Sequence, residues 1–165
     1  MRLSTARLEL RDFVESDAEV MWSWRTDDSF ADFLPGSSLE ELRDFVRAVK
    51  QAPSRHQLMA LEDGRPVGSF RIYEHGAQAD IGCVLERGSW GKGLGTEGAK
   101  ALLAYGFGER KLHRIWATVD VENARSARLV EKLGMRREAR MRELRFMRGR
   151  WSDSWLYALL DREWR

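Results

Sequence analysis

Between Trp90 and Gly98 the chain reads Trp90-Gly91-Lys92-Gly93-Leu94-Gly95-Thr96-Glu97-Gly98. The segment follows an apolar strand pattern, Ile81 to Leu85, and opens a helix pattern, Thr96 to Phe107. Glycines let a backbone approach a ligand closely, and the first amides of a helix have no partner inside it. Such a turn is suited to holding phosphate, which points to a phosphorylated cofactor.

Spacing separates three phosphate-binding readings. A Walker-type loop needs Ser or Thr directly after Gly-Lys to hold magnesium, whereas Gly93 follows Lys92. Gly93, Gly95 and Gly98 do spell the G-x-G-x-x-G of dinucleotide folds, and Asp120 closes the next strand at the place of a ribose-binding acid. In that fingerprint, however, the first glycine follows its strand immediately, and here Glu86 to Gly91 intervene. The preceding chain also carries hairpin rather than strand-helix-strand punctuation. A coenzyme A pyrophosphate turn is the third reading.

A second motif, Asn123-Ala-Arg-Ser126-Ala-Arg-Leu129-Val-Glu-Lys-Leu-Gly134-Met135, follows the glycine turn in order. Together the two closely resemble the GCN5-related N-acetyltransferase (GNAT) superfamily, and within it the ribosomal-protein N-terminal acetyltransferase (RimJ/RimL-like) subgroup. The resemblance runs from Leu8-Glu-Leu-Arg-Asp-Phe13 to Gly149-Arg-Trp-Ser-Asp153-Ser-Trp-Leu-Tyr157, nearly the whole chain. It implies acetyl-CoA (coenzyme A) as cofactor and direct transfer of acetyl to a primary amine. It also implies that the strands at Ala79 to Leu85 and Arg114 to Val119 run parallel and splay, with pantetheine entering the gap. Free main-chain groups at Cys83, Val84 and Leu85 would then pair with the pantetheine arm and polarise the thioester carbonyl. Trp90, Gly91, Lys92, Gly93, Leu94, Gly95 and Thr96 would meet the pyrophosphate, with Thr96 also able to cap the helix. Trp90 stands where the wider superfamily has Gln or Arg, although Trp is familiar in the subgroup.

Asn123 is placed to bond pantetheine, to cap the next helix, or to do both. Many relatives carry a tyrosine seven residues beyond that asparagine as the acid for the leaving thiolate; here the position is Val130. Ser126 is the substitute candidate, its alternative being a small hydroxyl on a packed helix face. Asp80 matches the subgroup's acidic strand position and could take a proton through water, or be an exposed strand-end carboxylate. His56, His75 and His113 read as surface or structural residues without partners and have no metal-ligand spacing. The single Cys83 reads as packing rather than a thiol nucleophile, and it permits no internal disulfide.

Weak base equipment has an energetic corollary. At pH 7, deprotonating an α-amine of pKa near 8 costs about 1 kcal/mol, against about 4.6 kcal/mol for a lysine-like amine. The acceptor class is therefore an α-amine such as a protein N-terminus, with a small-molecule amine (polyamine or aminoglycoside) as the alternative. A non-catalytic acyl-CoA sensor would keep the same turn. Asp27, Asp28 and Asp32 beside Trp22, Trp24, Phe30 and Phe33 could receive a cationic amine, or form a solvated loop over an apolar cluster.

The elements that must position these residues follow from periodicity. A strand is expected at Leu8 to Phe13, then a helix capped by Ser16 and running to about Trp24. A second helix begins at Ser38, with Leu39, Leu42, Phe45, Val46 and Val49 at helical spacing. Gln57 to Leu61 and Val67 to Tyr73 flank Asp63-Gly64, a strong hairpin signal. After the strand at Ala79 to Leu85 and the helix at Thr96 to Phe107 come a strand (Ile115 to Val119) and a helix (Glu122 to Leu133). A hairpin, Met141 to Met147 and Trp151 to Leu160, turns about Gly149. The order gives an α+β domain spanning 1–165, with a mixed, mostly antiparallel sheet and helices on both faces.

At 165 residues one domain can bury roughly two thirds of its unfolded surface. No apolar run reaches the roughly twenty residues of a membrane span, and the opening residues lack an apolar signal core, so a cytoplasmic, unprocessed protein is expected. A net charge of +2 argues against a general nucleic-acid coat. The arginines from Arg136 to Arg150 read as a solvated strand face in preference to a patch for RNA or an acidic protein. A monomer or homodimer is expected.

Overall fold

Every second residue of Leu8 and Leu10, of Phe70 and Ile72, and of Ile115, Ala117 and Val119 is apolar and buried. That period of two places one face of each strand in a core. The computed structural model describes residues 1–24, 38–147 and 149–165. Its strands are β1 (Arg2–Ser4), β2 (Leu8–Asp12), β3 (Arg55–Glu62), β4 (Arg65–His75), β5 (Gln78–Leu85), β6 (Arg114–Asp120), β7 (Arg136–Met147) and β8 (Arg150–Leu160). They form a sheet of order β1-β2-β3-β4-β5-β6-β8-β7 in which only β5 and β6 run parallel. The α+β architecture with a mixed, mostly antiparallel sheet expected from the sequence is thus the observed one.

Helices α1 (Asp17–Ser23) and α2 (Leu39–Lys50) cover one face, where Phe13, Met21, Leu42, Val46 and Met59 form a core cluster. Helices α3 (Leu94–Ala104) and α4 (Ala124–Lys132) are associated with the larger core, which includes Phe70, Ile72, Leu102 and Ile115. Among the described residues no helix is long and apolar enough to cross a membrane.

Local chemistry explains the boundaries. Ser38 caps α2, its side chain accepting from the Glu41 amide at 3.2 Å, a contact worth about 1 kcal/mol. Ser16 precedes α1 but makes no side-chain cap bond. Asp17 anchors that corner instead: it accepts from the Val14 amide at 2.8 Å and from both Arg11 terminal nitrogens at 2.7 and 2.9 Å. The hairpin between β3 and β4 turns on Asp63 and Gly64 at φ 51° and 78°, the double left-handed geometry favoured by Asp-Gly.

Four further expectations need revision. β1 adds a short edge strand. β7 starts at Arg136 rather than Met141, because its first residues are polar on both faces and show no alternation. α3 starts at Leu94 with Gly93 as its N-cap, so Thr96 lies inside the first turn and does not cap. That helix also ends as a π-helical turn, Tyr105–Glu109, where a Cβ on Gly106 would sit 2.5 Å from the Ile115 side chain.

Candidate functional site

Strand β5 is paired with β4 along its whole length, but with β6 only through Gln78, Ala79 and Asp80, opposite Arg114, Ile115 and Trp116. Beyond Asp80 the two parallel strands part. The second edge of β5 from Ile81 to Leu85 therefore faces a gap rather than a strand. Cys83 and Val84 line both a cavity of about 410 Å³ on one side and a groove of about 670 Å³ on the other. Asp120, Asn123, Ser126 and Leu129 line both as well, so the spaces adjoin through the opening.

The groove runs to the glycine turn. Gly91 and Gly93 sit at φ 77° and 83°, left-handed conformations that side-chain-bearing residues rarely take. The first hydrogen bond of α3 is from the Glu97 amide to the Gly93 carbonyl at 3.0 Å, so the amides of Leu94, Gly95 and Thr96 precede the helical ladder. Gly91, Gly93, Gly95 and Thr96 line the groove. Leu94 is fully buried and Lys92 is absent from the groove wall. A Cβ on Gly95 would lie 2.8 Å from the Leu129 side chain, so a larger residue there would displace that side chain.

Two anchors hold this turn. The Trp90 indole donates to the Leu85 carbonyl at 2.8 Å, and the Arg125 guanidinium lies 4.0 Å from the centre of its ring. The Leu85 carbonyl is thus not free as expected, whereas Cys83 and Val84 have no strand on their gap side. Glu97 accepts from Thr5 Oγ1 at 2.5 Å, and from the Arg7 amide and Nε at 2.8 Å each. Burial alone would raise its pKa, but these donors hold the carboxyl below the usual range.

Asn123 caps α4, its Oδ1 accepting from the Ser126 amide at 3.0 Å. Both residues also face the gap, so the cap and the site coincide. Val130 is buried and lines the cavity wall, at the position where the family resemblance implies a tyrosine. Asp80 lies at the root of the gap, outside the walls of both spaces. Its Oδ2 is 3.0 Å from Arg71 Nη2 and its Oδ1 3.0 Å from His75 Nε2.

The histidines are not without partners as expected. His75 meets Asp80, His113 Nδ1 lies 3.3 Å from Asp161, and His56 Nδ1 lies 3.8 Å from Asp12. Cys83 packs against the core from the rim of the gap, and burial pushes its thiol up to about 11. Labelling by a thiolate-selective reagent is accordingly expected to stay slow at neutral pH and to accelerate only as pH approaches that value. Fast labelling at pH 7 would contradict the packing.

On the α1 and α2 side the cavity is polar, with Gln57, Ser69, Arg71, Tyr73, Thr118 and Arg145 in its wall beside Met21 and Phe45. Sequence reasoning missed this group. Tyr73 donates to Gln57 Oε1 at 2.8 Å, and Gln57 donates to Ser69 Oγ at 2.5 Å. Burial raises the Tyr73 pKa, keeping the phenol protonated. Arg145 donates to Thr118 Oγ1 at 2.8 Å. The rest of the arginine run largely behaves as a surface face: Arg140 pairs with Asp153 at 2.7 Å, Arg136 with Glu163 at 3.2 Å and Arg150 with Glu122 at 2.7 Å. Asp27, Asp28, Asp32, Phe30 and Phe33 lie outside the described residues.

Residues 7–136 match the acetyltransferase (GNAT) domain. The chain belongs to the GNAT family. It is similar to the uncharacterized N-acetyltransferase YnaD of Bacillus subtilis, 30% identical, with 99% of each chain covered. A GNAT-family acetyltransferase structure from Bacillus anthracis superposes with a TM-score of 0.85 at 32% identity, covering 99% of this chain and 100% of that one. The fold is also that of Mycobacterium smegmatis RimJ in complex with CoA-disulfide, with TM-score 0.84 and 24% identity over 94% and 83% of the two chains. The protein is an acetyltransferase that uses acetyl-CoA, and the parted strands with their glycine turn fit that cofactor.

Proposed function

We propose that this acetyltransferase moves acetyl directly to a primary amine, the α-amine of a protein N-terminus being the acceptor class. The observation that carries the reading is the halt of β5–β6 pairing at Asp80 and Trp116, which leaves a strand edge open beside a phosphate-type turn. When bound, acetyl-CoA supplies an activated acetyl group. The amides of Leu94, Gly95 and Thr96 hold the diphosphate, with Gly91 and Gly93 shaping the approach. Main-chain groups of Cys83 and Val84 orient the pantetheine arm and polarise the carbonyl under attack. The Asn123 carboxamide keeps α4 aligned on the gap.

Ser126, in the wall of both spaces, carries a proton to the departing sulfur. Asp80 is held by Arg71 and His75, so we assign it to positioning Arg71 rather than to collecting the amine proton. An α-amine needs little help, being partly neutral at pH 7. Ser126→Ala is expected to leave acetyl-CoA affinity within about twofold and to lower kcat by about a hundredfold, the size of a typical general-acid contribution. Steady-state kinetics with isothermal titration separates the two, and an unchanged kcat would remove Ser126 from proton transfer.

A second acceptor reading, a polyamine, is favoured by a family relative, the spermidine N(1)-acetyltransferase of Escherichia coli, which is 24% identical over 86% of this chain. An acceptor screen across N-terminal peptides, polyamines and aminoglycosides decides between them. Acetylation of spermidine but of no peptide would overturn the N-terminal reading.

A further inference from the structure

The acceptor-side cavity carries two guanidinium groups, one of which makes no direct ion pair among the described residues. Arg71 lies across Gly82, where a Cβ would come within 2.9 Å of its Nε, and that Nε is buried without a hydrogen-bond partner. Its outer nitrogen pairs with Asp80. Arg145 reaches in from β7 and donates to Thr118; among the described residues it makes no ion pair. Burial and the nearby charge of Arg71 lower its pKa, against the opposing pull of the Asp120 and Asp80 charges. Among the described residues the one carboxylate in the cavity wall is Asp120, which makes no ion pair with Arg145 and accepts instead from the Glu122 amide at 2.8 Å and from the Ser152 hydroxyl.

A half-buried guanidinium without a direct ion pair, beside another with an unpartnered Nε, favours a ligand that supplies a carboxylate, which a guanidinium binds through two parallel hydrogen bonds. A polyamine would bring more positive charge to the same wall. The cavity, about 410 Å³, has the size of a small-molecule site.

We propose that the acceptor amine carries a carboxylate, and that Arg145, with Arg71 beside it, holds that carboxylate while the amine faces the gap at Cys83 and Ser126. The inference rests on the N-acetyltransferase reading and selects among its acceptors. Two sources share this chemistry: the α-carboxylate of a free amino acid, and the side chain of an N-terminal Asp or Glu in a peptide.

The test measures acetyl-CoA-dependent acetylation of matched amines with the whole protein: amino acids against their carboxamides, and Asp- or Glu-initiated peptides against their Asn or Gln counterparts, with spermidine alongside. Whichever source is correct, the carboxylate-bearing member of its pair is expected to have a kcat/KM at least about tenfold higher, about one charge-assisted contact. In Arg145→Gln that ratio is expected to fall towards one through KM, with acetyl-CoA affinity retained. Equal use of both members of every pair by the unmodified protein, or preference for spermidine, would overturn the proposal and leave acetyl transfer standing. Failure to acetylate any amine while acetyl-CoA binds would overturn the acceptor reading as a whole. The unmodified protein's ratio decides the matter even if Arg145→Gln fails to fold.

Discussion

Gly93→Val is expected to weaken acetyl-CoA binding by at least about a hundredfold, measured by isothermal titration, while the protein still folds. Gly93 is the N-cap of α3 at φ 83°, a conformation that a β-branched residue leaves at a cost of order 1–3 kcal/mol. No atom stands closer than Arg7 Nη2 at 3.5 Å from its virtual Cβ, so the damage comes from backbone geometry and not from a clash. When the turn relaxes to negative φ, the amides of Leu94, Gly95 and Thr96 turn away from the position they share. Each hydrogen bond to a charged group is worth about 1.5–3 kcal/mol, so losing two gives the stated factor or more. Unchanged affinity would show that the diphosphate sits elsewhere. Gly93→Ala, with a smaller side chain and the same φ problem, should fall between the two.

The second large effect is on stability. Asp17→Ala is expected to destabilise the fold by about 3 kcal/mol and to lower Tm by about 6–12 °C. The carboxylate is buried, receives both arms of Arg11 and the Val14 amide, and begins α1. Truncation would strand a guanidinium that is only a quarter exposed. Because α1 brings Met21 into the cavity wall, the acceptor KM should rise as well. A Tm within 2 °C of the parent, by differential scanning calorimetry, would show that the corner is held by other contacts.

These cases show which parts of the site are written locally. The glycine turn, the Asp63-Gly64 hairpin and the stripe of α2 are each determined by residues a few positions apart, so spacing alone reveals them. Asn123 as both cap and gap residue was readable for the same reason. Arg71 and Arg145 were not readable: they are far apart in sequence and meet only because β4, β5, β6 and β8 set β7 beside the cavity. Within the arginine run nothing in composition marks Arg145, the residue that turns inward. The register does so, through Ser152 on β8 and Thr118 on β6. The early start of β7 was hidden because a polar edge strand has no apolar rhythm, and Asp80 looked available because its partners, Arg71 and His75, are set by strand pairing rather than by adjacency.

The alternation along β5 has a consequence for how such an enzyme changes its choice of acceptor. Asp80, Gly82 and Val84 pair with Tyr73, Arg71 and Ser69, whereas Ile81 and Cys83 pair with Ile72 and Phe70 in the core. Odd and even positions on one strand therefore serve different masters. Under the proposed acceptor site, half of the side chains can be rewritten for a new client while their immediate neighbours keep the core intact. A slip of one residue in the pairing would trade the two duties and ruin both.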